Sequence, residues 1–225
     1  VDVVLENFKF GTLDKLGLGY EEMKKINPEI IFGSITGFGQ TGPLRANTAY
    51  DNVIECMSGF MEMTGFPEFP PLRSGASVAD SYTGLTMALA ITLACYDKKR
   101  TGKGRRIDVA MLDTMFATIE DAVLAYALTG KEISRTGNAK PREIVPYDTY
   151  YCADDFIAVG INDESMWPDF CDALEMPELK DDPLYATNDL RCSNFAEFTK
   201  LMQSVFREKT ADWLLERFWQ EDTTI

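Results

Sequence analysis

Gly75-Ala-Ser-Val-Ala-Asp80-Ser-Tyr-Thr-Gly84 sets a single carboxylate between a run of small residues and a long apolar helix pattern. The small residues let backbone and ligand approach one another closely. A helix starting behind Asp80 presents unpaired N–H groups and the positive end of its dipole. That is a place to hold an anionic nucleophile or an anionic ligand. Aspartate is also a favoured N-cap, so a plain capping role is the competing reading. The rest of the chain decides between the two.

The 225 residues are 45% hydrophobic and 12% aromatic, enough for a real core in one large or two smaller domains. No apolar run is expected to span a bilayer, because Thr83 and Thr86 interrupt the longest apolar helix pattern. No secretory leader is expected from the opening residues. Cys56, Cys95, Cys152, Cys171 and Cys192 are dispersed, without a CxxC pair. Such a set predicts reduced thiols and a cytoplasmic location. There is no histidine, so within this chain Ser-His-Asp and Cys-His catalysis and histidine metal ligation are excluded. Any chemistry rests on carboxylates, lysine, tyrosine or thiols. The net charge of -14 is uneven: 16 basic and 18 acidic residues up to Pro146, then 6 basic and 18 acidic. The acidic half repels nucleic acid, and an anionic ligand belongs with the first half.

Val1-Asp-Val-Val-Leu5 reads as a strand entered midway, and both ends of the chain are expected to be cut from something longer. A short helix over 20–26 ends at Asn27-Pro28. Ile30-Ile-Phe-Gly-Ser-Ile35 is a second apolar strand. Apolar strands alternating with helices predict an α/β fold with a Rossmann-like parallel sheet. Thr36-Gly-Phe-Gly-Gln-Thr-Gly-Pro43 is a glycine-rich loop at a strand's carboxyl end, where open α/β sheets bind ligands. Helices are expected over 51–59, 80–96 and 112–128, with a strand over 107–110. In the second of these helices Leu85, Leu89 and Leu93 form the expected apolar face. Residues 130–146 read as a linker between a partial large domain, 1–129, and a small acidic α/β domain, 147–225. That small domain opens on a hairpin around Ala153-Asp-Asp155, and helices follow over 165–173, 194–207 and 210–219.

In order along the chain stand Glu6-Asn-Phe-Lys9 with Gly11, Leu13-Asp-Lys-Leu-Gly17, Asn27-Pro28, the loop 35–43, the stretch 75–84, and Lys99 to Gly104 before Ile107-Asp-Val109. Pro146-Tyr147 and Asp181-Asp-Pro183 with Arg191 come later. The ordered set resembles the family III CoA-transferases, the group of formyl-CoA, carnitine and bile-acid CoA-transferases. The resemblance implies that Asp80 is the nucleophile of coenzyme A transfer between an acyl-CoA and a carboxylic acid, through mixed anhydrides and an aspartyl-CoA thioester. It implies CoA contacts at Asn7, Phe8 and Lys9, at Lys15 and Leu16, and at Asn47, Thr48, Ala49 and Tyr50. At Thr48 some relatives carry a basic residue, which this chain lacks. Asp51 matches an acidic position beside the nucleophile. An interlocked homodimer is implied, with no metal, redox nucleotide, nucleic acid or membrane partner.

Two other readings stay open. The related α-methylacyl-CoA racemases carry histidine where this chain has Tyr50, and a racemase without it lacks one of its two proton-transfer groups. The glycine quartet of the oxalate-using enzymes is missing after Leu128, which ranks formyl/oxalyl exchange below other substrates. A catalytically incomplete CoA-binding module is the non-enzymatic alternative.

Overall fold

The computed structural model describes residues 1–141 and 143–220. They form two compact units, Val1–Arg135 and Thr136–Ile225, and the expected domain end at Ile225 lies outside the described residues. In the first unit β1 (Val3–Glu6), β2 (Ile31–Thr36) and β3 (Arg105–Ala110) make a parallel sheet in that order. Val3 lies opposite Ile31, and Ile31 opposite Arg105. Parallel pairing demands a crossover between neighbouring strands. Helices α1 (Thr12–Lys15) and α2 (Tyr20–Ile26) make the first crossover. Helices α3 (Asp51–Met57) and α4 (Val78–Thr101) make the second, and α4 packs on β2 and β3. Ile31 is fully buried, as expected of a strand covered on both faces.

Helix α4 corrects two expectations. It runs 24 residues, longer than the apolar pattern predicts, and by length and composition it could cross a membrane. The threonines do not interrupt it. Thr83 Oγ1 donates to the Ala79 carbonyl at 2.6 Å, and Thr86 Oγ1 to the Tyr82 carbonyl at 2.9 Å. Each hydroxyl is satisfied by its own helix, so it needs neither water nor a partner. The buried face is accordingly Ala79, Thr83, Met87 and Ala94, while Leu85, Leu89 and Leu93 stay at least 60% exposed in the single chain. Small residues let the helix lie close on the sheet; the leucines point the other way.

The helix expected over 112–128 is broken into α5 (Met111–Phe116), a 3₁₀ turn (Ala117–Ile119) and α6 (Glu120–Thr129). At the break Thr118 Oγ1 donates to the Met115 carbonyl at 2.7 Å, and Ile119 departs from helical angles.

The second unit joins an antiparallel hairpin, β4 (Tyr147–Tyr151) and β5 (Phe156–Gly160), to α7 (Trp167–Ala173), α8 (Asn188–Ser193), α9 (Phe195–Arg207) and α10 (Ala211–Gln220). Phe198, Met202 and Phe206 recur every fourth residue on α9 and are fully buried. Tyr150 stacks on Phe206 at 4.8 Å, and Phe170 on Phe218 at 5.4 Å.

Arg191 sits in this core at 1% exposure. Its Nε donates to the Val145 carbonyl at 2.6 Å, and Nη1 to the Tyr185 carbonyl at 2.9 Å. Nη1 and Nη2 face the two oxygens of Glu164 at 3.2 and 3.1 Å, and the guanidinium lies 4.0 Å from the Trp167 ring centroid. Burial alone pulls the guanidinium below its usual value, and the Glu164 hydrogen bond opposes this. One side chain thus ties α7, α8 and the entry to the hairpin together. Arg191→Met strands two buried carbonyls and is expected to cost about 3 kcal/mol of unfolding free energy. Urea titration followed by tryptophan emission measures it, and a loss below about 1 kcal/mol would demote the arginine to an ordinary surface-type pair.

Candidate active site

Three parallel strands release the chain at one edge of the sheet. The residues that follow β1, β2 and β3 therefore meet there. They line a cavity of about 550 Å³ with Asn7, Phe8, Lys9 and Phe10 after β1, Ile35, Thr36 and Gly37 at the end of β2, and Met111 after β3. Asn47, Thr48, Ala49 and Tyr50, which lead into α3, form another wall, and Asp80, Thr83 and Gly84 of α4 complete it. Gly37 permits the close approach: a Cβ there would stand 2.5 Å from that of Ala49. The glycine-rich loop is held to β3, since the Gln40 N–H donates to Asp108 Oδ2 at 2.9 Å.

Asp80 is the third residue of α4 and keeps contact with solvent. The helix has no side-chain cap, so Asp80 is not occupied in capping. Its own N–H, an orphan donor of the first turn, goes to Asp51 Oδ1 at 3.2 Å. Asp51 opens α3, so two carboxylates 29 residues apart in sequence face one another across two helix starts. Partial burial, and then the negative charge of Asp51, push the Asp80 carboxyl above its ordinary value. This is a carboxylate held by its backbone, its side chain at a cavity wall and without a hydrogen-bond partner among the described residues.

The cavity gathers Asn7, Phe8, Lys9, Asn47, Thr48, Ala49, Tyr50 and Asp80 of the residues that the sequence singled out. Phe8 and Tyr50 are 55% and 78% exposed, which leaves ring faces available for stacking. Asp51 lies behind Asp80, outside the lining. Lys15 and Leu16, at the end of α1, are exposed and do not line the cavity either. Met63 lines a separate cavity of about 780 Å³ with Phe116 and Tyr126. Sequence reasoning missed Phe10, Ile35 and Met111. The signal was there for the last, because the first residue after any parallel strand falls on the ligand-binding edge. Thr36 Oγ1, buried in the wall, has no hydrogen-bond partner among the described residues.

The chain is similar to known proteins in sequence and in fold. An acetyl-CoA:oxalate CoA-transferase of Acetobacter aceti is 40% identical over 215 residues, 95% of this chain and 55% of the relative. A succinate–glutarate CoA-transferase of Agrobacterium fabrum is 38% identical over 203 residues, 90% of this chain and 50% of the relative. The crystal structure of a CaiB/BaiF family protein from Brucella suis superposes with a TM-score of 0.86 at 38% identity, covering 99% of this chain and 59% of that one. The chain spans about half the length of the curated relatives it matches. The family model of CoA-transferase family III matches residues 1–225, and the chain belongs to that family.

Proposed function

We propose that the protein moves coenzyme A from an acyl-CoA donor to a carboxylic acid acceptor, with Asp80 as nucleophile. One observation carries the reading: a carboxylate with its N–H anchored by Asp51 stands free in the cavity where the strand ends converge. An Asp80 oxygen attacks the thioester carbonyl; the C–S bond breaks, giving a mixed anhydride and CoA thiolate. The thiolate attacks the Asp80 carbonyl and expels the donor acid, leaving an aspartyl-CoA thioester. The acceptor carboxylate attacks that carbonyl and releases thiolate again, and the thiolate takes the acceptor acyl group and frees Asp80. Each acyl bond is exchanged for one of similar energy, so what the site supplies is a fixed carboxylate and proximity.

Asn7, Lys9, Asn47 and Thr48 offer the polar contacts for CoA, with Lys9 as the cation for phosphate and Phe8 or Tyr50 as the stacking surface. Lys15 belongs to this set only through its likeness to the family. Chemistry and CoA binding both fall to the first unit. The histidine-free composition supports transfer over racemisation. Relatives named for oxalate, succinate and glutarate support a dicarboxylate acceptor, and oxalate belongs in the assay despite the missing glycine quartet. A homodimer is part of the same proposal, supported by the exposed Leu85, Leu89 and Leu93; so are a cytoplasmic location and the absence of nucleic-acid and membrane partners.

Gly84 supports the assignment from a different side. It lies four residues beyond Asp80, on the same helix face, and apart from its chain neighbours and its own helix backbone no described atom stands within 4 Å of where its Cβ would be. Glycine inside a helix is unfavourable, and here packing does not require it. The empty space is room for the thioester beside the nucleophile.

Asp80→Asn is expected to lower transfer at least about 1000-fold with the fold retained; circular dichroism checks the fold. Hydroxylamine added during turnover is expected to modify Asp80 alone, and an adduct on another carboxylate would remove the assignment. The attacking group must be ionised, and Asp51 raises its pKa. Asp51→Asn therefore moves the acid limb of the kcat/KM profile to lower pH; a limb that stays put or rises contradicts the pairing. Gly84→Ala is expected to add about 0.5–1 kcal/mol of stability while raising KM for acyl-CoA or lowering kcat. A stabler enzyme with unchanged kinetics would show that the space is idle.

A further inference from the structure

Glu55 lies on α3 one turn beyond Asp51 and is fully buried. Both its oxygens turn to one residue. The Ser74 N–H donates to Oε2 at 2.8 Å, and the Ser74 hydroxyl lies 2.6 Å from Oε1. Carboxyl groups are rarely buried away from cations, and one whose hydrogen bonds among the described residues come from neutral donors calls for a reason. The spacing of four residues puts Asp51 and Glu55 on the same helix face. Asp51 takes the Asp80 N–H, and Glu55 takes Ser74. A helix of two turns thus grips the segment 74–80 at both ends.

We propose that Glu55 is a positioning residue, setting the path of the segment that delivers Asp80 to the cavity. The inference rests on Asp80 as nucleophile. The contacts are specific enough to identify what the clamp needs. Ser74 Oγ also lies 2.7 Å from the Ala76 carbonyl oxygen, and its single hydrogen serves one acceptor at a time. A carboxamide at position 55 satisfies every contact: its oxygen accepts the Ser74 N–H, its NH₂ donates to Oγ, and the hydroxyl donates to Ala76. Alanine satisfies none. An attacking oxygen displaced by about 1 Å loses on the order of 100-fold in rate.

Glu55→Ala is expected to lower kcat about 10- to 100-fold, with KM for acyl-CoA nearly unchanged because Asn7, Lys9 and Asn47 sit on other segments. Hydrogen exchange at the Ser74 and Asp80 amides should quicken in the same variant. Glu55→Gln should recover both readouts. Ser74→Ala removes only the hydroxyl contact, serves if Glu55→Ala does not fold, and should give a smaller loss of kcat in the same direction. Unchanged kcat in Glu55→Ala, or a Gln variant no better than Ala, overturns the clamp. Asp80→Asn separates the two ideas. If it abolishes transfer while Ser74 exchange stays as in the parent, clamp and nucleophile both stand. If it keeps full turnover, the nucleophile assignment falls and the positioning role with it.

Discussion

Everything at the site follows from strands that run the same way. Parallel pairing of β1, β2 and β3 sends each chain exit to one edge of the sheet. Asn7, Gly37 and Met111 meet there although about 100 residues separate the first from the last. The crossovers that parallel strands require supply the remaining wall. Helix α4 covers the sheet and brings Asp80; α3 packs against α4 and brings Asp51. Reversing one strand would disperse the cavity even with every residue identity kept.

Much of this was legible before any coordinates. The apolar runs at 30–35 and 107–110 marked strands, and Asn27-Pro28 marked where α2 ends. What pattern reading got wrong has a common cause, namely polar groups satisfied locally. Thr83 looks like an interruption in α4, yet its hydroxyl folds onto the Ala79 carbonyl and the residue is buried. The leucines look like the core face and point outward in the single chain. The helix expected over 112–128 breaks instead at Ala117–Ile119, where Ile119 leaves helical angles.

The site was legible in its residue types more than in its wiring. Asp80, Asn7, Phe8, Lys9 and the stretch 47–50 stand in motifs and come together around one cavity. Lys15 and Leu16 stand in a motif as well and lie apart from it. The pairing of Asp51 with the Asp80 N–H spans 29 positions, and no local pattern announces such a bond. Glu55 was invisible for a stronger reason. A glutamate in a short helix reads as a solvated charge, and only the approach of Ser74 turns it inward. Arg191, in contrast, stands in a motif, yet its wiring is not legible there. It stands out within an acidic half, but its three carbonyl and carboxylate partners come from widely separated segments.

The brevity of α3 has a mechanical consequence. Seven residues hold two anchor points, so the helix behaves as a single stiff peg, with no hinge between them. A push on that peg shifts the whole strap 74–80 in step. On the proposed mechanism the attacking oxygen of Asp80 would slide with it toward or away from its target without swivelling, its angle of attack kept through a change in reach.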